Sequence, residues 1–178
     1  MQHDLIEGAG SSVPESEIKL GGFYRAQIIR DGKVIDEFEC HNLVVNEGLN
    51  RTLNVMFNGA TQSTTWYLGL FEGNYTPVAT LTAATVASAA TECTAYSSST
   101  RPEYVEATSS AQSTTNSANR ASFIFTSAKS IYGAFLISDN TKGGTSGYLF
   151  SAARFSAVKN VDVNDELLLT YTFNASSV

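Results

Sequence analysis

Hydrophobic and polar positions first fall into a pattern at Gly22. Two strand-like runs, Phe23–Arg30 and Lys33–Cys40, flank Asp31-Gly32. That dipeptide supplies the two φ > 0 positions of a type I′ turn, so the stretch predicts a β-hairpin. After a break at His41-Asn42 the second run continues into Leu43-Val44-Val45. Asn46 then reads as a helix N-cap, with Glu47 in the first turn, where a carboxylate complements the helix dipole. Leu49, Leu53, Met56 and Phe57 follow at i, i+4, i+7 and i+8, and Asn58-Gly59 closes the helix. This apolar stripe predicts a short helix that plugs one end or face of a β structure.

Trp66-Tyr67-Leu68-Gly69-Leu70-Phe71 is almost wholly apolar, the pattern of a strand buried on both faces. Thr85–Glu92 reads as a second short helix capped by Thr85, and Tyr104–Thr108 as a weak strand after Pro102. Ser109–Asn119 holds almost nothing but Ser, Thr, Ala and Asn, which predicts an exposed loop facing outward. Ala121–Thr126, Ile131–Ser138, Tyr148–Phe155 and Leu167–Phe173 are further strands; in the last, Leu167, Leu169, Tyr171 and Phe173 share one face. About eight strands and one or two short helices predict an all-β fold, an antiparallel β-sandwich of jelly-roll-like type. Residues 1–20 lack periodicity and carry Gly, Pro and acids. This predicts an extended N-terminal arm over 1–20, expected to be flexible when alone, followed by a single β-sandwich domain over 21–178.

Composition sharpens this picture. Of 178 residues, 43% are hydrophobic, enough for a core, and only 16% are charged. The polar remainder is made up by 40 Ser and Thr, and Thr favours strands while Ser favours turns. Eleven basic against 17 acidic residues leave a net charge of −6, which argues against a nucleic-acid partner, since displacing phosphate counterions needs a cationic surface. No apolar run is long enough to span a bilayer, and the first twenty residues have no apolar segment of the kind a secretory leader needs.

Candidate chemistry is sparse. Cys40 and Cys93 have no CxxC spacing, and with only His3 and His41 they complete no zinc pattern; Cys40-His41 on a strand would point to opposite faces. In the loop Asp139–Gly147, Lys142 precedes the glycines and a strand follows, the reverse of a phosphate-binding loop, so it reads as a wide hairpin loop. No GxSxG elbow accompanies the many serines. Asp36, Glu37 and Glu39 read as a solvated strand face, and Asp162-x-Asn164 begins a calcium-loop pattern that then fails. No catalytic residue, metal or cofactor is expected. Eight Tyr and ten Phe in a weakly charged chain suit a surface that makes contacts.

Two stretches carry a resemblance. Asn42-Leu43-Val44-Val45-Asn46-Glu47-Gly48-Leu49-Asn50 with Trp66-Tyr67-Leu68-Gly69-Leu70 is the first. Gly133-Ala134-Phe135-Leu136 through Thr141-Lys142-Gly143-Gly144-Thr145-Ser146-Gly147-Tyr148-Leu149-Phe150-Ser151-Ala152 is the second. Both resemble the corresponding segments of small virion proteins of tailed bacteriophages, as does the ending Asp165–Phe173. The resemblance covers roughly residues 40–174 and implies a head decoration, cement or tail component. A rigid body with a reaching arm favours the capsid decoration or cement reading. The alternative is a tail, fibre or adaptor component, including a receptor-binding one, and an enzyme comes last for want of any site. The favoured reading implies the major capsid protein as partner, self-association as a dimer or trimer, and a place on the capsid surface after synthesis in the bacterial cytoplasm. A cement protein needs an arm that reaches a neighbouring subunit. Ile18, Leu20, Phe23 and Tyr24 are the expected partner-binding anchors at its root, and Leu5 and Ile6 at its tip.

Overall fold

The computed structural model describes residues 17–177. Ten strands and two helices follow in the order β1 (Ile18–Arg30), β2 (Lys33–His41), β3 (Leu43–Val44), α1 (Asn46–Phe57), β4 (Tyr67–Phe71), α2 (Ala83–Ala89), β5 (Glu92–Cys93), β6 (Ser113–Thr115), β7 (Ala121–Ile124), β8 (Lys129–Ile137), β9 (Leu149–Val161) and β10 (Glu166–Ser177). They form two antiparallel five-stranded sheets. One runs β2-β1-β10, with β6 and β7 sharing the far edge of β10; the other runs β3-β9-β8-β4-β5. The antiparallel sandwich read from the sequence is the observed architecture.

The β1–β2 hairpin turns at Asp31 and Gly32, whose φ values of 50° and 73° are those of a type I′ turn. Strand β2 stops at His41, and Asn42 carries the chain across to β3 in the opposite sheet, so the break at His41-Asn42 is the crossover between sheets. Inward-facing Tyr24, Ala26 and Ile28 of β1 and Leu167, Leu169 and Tyr171 of β10 meet Leu68, Leu70, Ile131, Ala134 and Phe155 from the other sheet. The open side between β2 and β9 is closed by the Phe38–Phe155 ring pair and by Lys159, whose ammonium lies 2.8 Å from Asp36.

The second sheet is apolar on both faces. Its outer face is covered by Leu81, Ala83, Val86 and Ala90 of α2 and its approach, packed on Phe71, Phe135, Ile137 and Leu149. Two cross-strand pairs thin the sheet there: Gly69 lies opposite Phe135, and Phe71 opposite Gly133. Each ring lies over its glycine, and a Cβ at either position would overlap it.

Several expectations are corrected. Strand β1 begins at Ile18, with Ile18, Lys19 and Leu20 paired to Ser177, Ser176 and Ala175, so the body of the fold starts before residue 21. Helix α1 is capped by Val45, not Asn46, and no side chain caps it. Helix α2 starts earlier than expected because Thr82 and Thr85 form a reciprocal capping box, placing Thr85 inside the helix. Around Tyr104 only a single bridge, Tyr67 to Glu103, forms instead of a strand. Within Ser109–Asn119 lies β6, and Asn116 is buried. Its side chain donates to the Leu169 carbonyl (3.2 Å) and accepts from the Tyr171 amide (2.8 Å), which bridges the gap in the ladder between β7 and β6.

The glycine loop after β8 is pinned from within. Arg101, fully buried, donates to both oxygens of Glu92 (2.8 and 2.7 Å) and to the carbonyls of Asp139 (2.8 Å) and Gly144 (3.2 Å). Glu92 also accepts the Gly143 amide at 2.9 Å, so the anion held by this loop is the protein's own carboxylate. Replacing Arg101 by Met leaves Glu92 buried and uncompensated, and should cost about 3–5 kcal/mol of unfolding free energy. Urea denaturation of Arg101→Met measures this; a loss under about 1 kcal/mol would show the pair to be dispensable.

Candidate functional site

Helix α1 defines the most distinctive surface of the molecule. Its covered side is Gly48, Arg51, Thr52 and Val55, while Leu53, Met56 and Phe57 are 54%, 65% and 77% exposed and Leu49 lies beside them. The apolar stripe expected to plug the β structure therefore faces solvent. Gly48 is the local reason. It lies against the backbone of Phe150, where a Cβ would overlap the Phe150 carbonyl oxygen, so this side of the helix can approach β9 closely.

Glu47 fixes the helix start. One of its carboxylate oxygens accepts the amide of Ala83 (2.8 Å) and that of Leu149 (2.7 Å), tying α1 to the first turn of α2 and to the start of β9. The amides of Val45 and Asn46 complete the attachment by donating to the carbonyls of Phe150 (3.1 Å) and Ala79 (2.8 Å). Glu47, read from sequence as a dipole partner, is a cross-link between three segments.

Beneath the exposed stripe runs an aromatic cleft. A groove of about 180 Å³ lies along α1, lined by Arg51, Val55, Met56, Trp66 and Phe150. Trp66 and Phe150 also line an adjoining cavity of about 210 Å³, with Tyr104, Leu136, Tyr171 and Phe173. The rings interlock edge to face, Trp66 on Phe150 at 5.7 Å and Phe150 on Phe173 at 5.1 Å between centroids. Tyr104, 4% exposed, places its hydroxyl beside Thr114 in this cavity, and burial pushes its pKa up to about 12. Arg51, on the rim, donates to the Thr61 carbonyl and stacks over the Tyr148 ring at 4.2 Å, yet its Nε is buried without a partner.

The anchors expected at the root of the arm are distributed by strand alternation. Ile18, Leu20 and Tyr24 share a parity along β1, and Phe23 faces the other way. Tyr24 is a correction: it is 1% exposed, its hydroxyl bonds the Ser151 hydroxyl at 2.8 Å, and it belongs to the core instead of a contact surface. Phe23 lines an open groove of about 480 Å³ on the outer face of β1 and β10, with Arg25, Gln27, Arg120 and Thr172. That groove mixes polar and apolar lining, and its arginines are paired, Arg25 with Glu37 and Arg120 with Gln27. Ile18, 78% exposed, and half-buried Leu20 stand on the face of β1 that continues from Phe173, which is paired with Gly22. Leu5 and Ile6 lie outside the described residues.

The rings of Trp66, Phe150 and Phe173 form one contiguous row that Met56 of α1 borders, and Leu20 and Ile18 stand on the same face of the first sheet as Phe173. The periodicity of α1 marks which of its residues share a face; no sequence signal marked that face as outward. Elsewhere the chemistry is structural. Asp165, at the failed calcium pattern, is buried and holds Arg30 through two bonds (2.8 and 2.6 Å), which keeps its carboxyl below the usual carboxylate range. Cys40 and Cys93 are free thiols, and burial pushes that of Cys40 up to about 11. Among the described residues no group of three or more His, Cys, Asp or Glu is gathered as a metal ion would require, and no helix is long and apolar enough to cross a membrane. No protein-family model matches the chain, and no curated protein sequence matches it either.

Replacing Glu47 by Ala removes the acceptor from two backbone amides and frees the start of α1. It should cost about 2–3 kcal/mol of stability by chemical denaturation, whereas Glu47→Gln, which keeps one acceptor oxygen, should lose less. Equal stability of Glu47→Ala and the parent would show that the carboxylate does not anchor the helix.

Proposed function

We propose that this chain is a structural protein of a bacteriophage virion, a capsid decoration or cement protein. In this reading it sits on the outer shell as a dimer or trimer and bridges major capsid subunits, with its N-terminal arm as one of the connecting elements. The observation that carries the reading is the outward apolar stripe of α1. A folded domain that turns Leu53, Met56 and Phe57 to solvent while packing its helix through Gly48 presents a contact surface. The surroundings favour a broad protein contact over a small ligand: between residues 46 and 63 the only charged residues are Glu47 and Arg51.

The sequence resemblance points the same way through residues that set the architecture. Val45, Glu47 and Gly48 of the first resembling stretch position α1, and Lys142, Gly143 and Gly144 of the second lie in the loop pinned by Arg101 and Glu92. These are scaffold residues, consistent with shared descent among shell-binding proteins. A rigid double-sheet body gives such a protein a platform that keeps its shape while many weak contacts form around it.

Co-sedimentation with expanded phage heads stripped of decoration, with tails as control, tests the proposal. The parent protein should pellet with heads and raise their disruption temperature, and Phe57→Asp should weaken that binding at least about tenfold, as expected for an anchor at the centre of an interface. Binding to tails alone would move the chain to the tail or fibre class. Binding to neither would overturn the virion reading.

A further inference from the structure

We infer that the aromatic cavity between the two sheets is a binding site for a quaternary ammonium group, of the kind that choline carries. This concerns the free protein and does not depend on the virion reading.

The walls of the cavity are rings. Tyr104 and Tyr171, both buried, close its inner side, and half-buried Trp66, Phe150 and Phe173 line its outer side. Phe150 meets Trp66 at an interplanar angle of 73° and Phe173 at 80°, and Tyr104 meets Tyr171 at 63°. Rings set at such angles wall a space from several directions, which one flat stack cannot do. An aromatic face carries the negative lobe of the ring quadrupole, so a cavity walled by rings attracts a cation lying within about 6 Å of their centroids. The volume, about 210 Å³, falls below the roughly 300 Å³ at which sites for drug-sized molecules begin, so the space suits a compact head group.

Charge selects among the candidates. Glu106 is the one charged residue in the lining, and it makes no ion pair among the described residues. Its negative charge is felt inside the cavity, where it helps to hold the Tyr104 hydroxyl protonated. A neutral apolar ligand would gain nothing from that carboxylate, and an anion would be repelled by it. Among cations the lining favours an alkylated nitrogen. A lysine ammonium or an arginine guanidinium brings N–H donors that each need an acceptor on leaving water. Beyond Glu106 the polar groups of the lining are hydroxyls, and that of Tyr171 already accepts from the Asn42 side chain at 3.0 Å. A quaternary nitrogen has no N–H to satisfy, so ring faces and one carboxylate meet all its needs.

Trp66 is the only tryptophan in the chain and lines the cavity, so its fluorescence reports occupancy. Choline chloride titrated into the full-length protein, with sodium chloride holding the ionic strength constant, should change Trp66 emission saturably. Neohexyl alcohol, in which an uncharged carbon replaces the choline nitrogen, should bind at least about fivefold more weakly. Glu106→Gln should weaken choline roughly threefold and leave the alcohol unchanged. Phe173→Leu, which keeps an apolar side chain but removes a ring, should weaken choline more than the alcohol. Co-sedimentation with phosphatidylcholine vesicles, run alongside, tells whether the same site takes the head group from a lipid as well as free. Equal affinity for choline and the alcohol in the parent protein would overturn the inference, because the cavity would then be a plain apolar pocket. So would the absence of a saturable change, or choline binding that Phe173→Leu leaves untouched.

Discussion

The second sheet is apolar on both faces, and the rest of the architecture follows from covering it twice. Leu68, Leu70, Ile131 and Ala134 point to the first sheet, while Phe71, Phe135 and Ile137 point away and need another layer. That layer is α2 with Leu81, brought close because Gly69 and Gly133 let the rings of Phe135 and Phe71 lie flat on the sheet. A seven-residue helix suffices for the task. The twelve-residue α1, the more amphipathic of the two in sequence, is thereby released from it.

What holds α1 is polar and local. Glu47 accepts amides from α2 and β9, and Gly48 brings the helix backbone against Phe150. Hydrogen bonds and a close backbone approach fix orientation without burying large side chains, so the apolar stripe stays at the surface. The same logic runs through the molecule: Asn116 closes the gap in the β10 ladder, Arg101 and Glu92 fix the glycine loop, and Asp165 locks Arg30. Polar side chains here position segments, and the apolar stripe of α1 is left exposed.

The sequence made much of the fold legible. Asp31-Gly32 could only be a tight hairpin turn, and the unbroken apolar run at Trp66–Phe71 required a strand covered on both sides. It left three things hidden, each for a physical reason. Helical periodicity states which residues share a face but not which face is inward; that choice was made by Gly48, whose missing Cβ has no periodic signature. Asn116 is indistinguishable in composition from the exposed residues around it, and its burial follows from β10 needing a partner between β7 and β6. Tyr24 resembles Phe23 as an aromatic near the arm, yet strand alternation sends one into the core and the other outward. The candidate site was legible only as isolated anchors, because Met56, Trp66, Phe150 and Phe173 are brought together from four separate stretches of chain.

A contact surface on α1 requires that its apolar stripe face solvent instead of core. The most direct measurement is the unfolding free energy of Leu53→Asp/Phe57→Asp against the parent by chemical denaturation. A solvent-facing stripe predicts a loss below about 1 kcal/mol with an unchanged denaturant slope, since surface substitutions are worth little. A stripe buried against the sheets would lose well over about 4 kcal/mol from two uncompensated charges, and that result would contradict the orientation on which the functional reading rests.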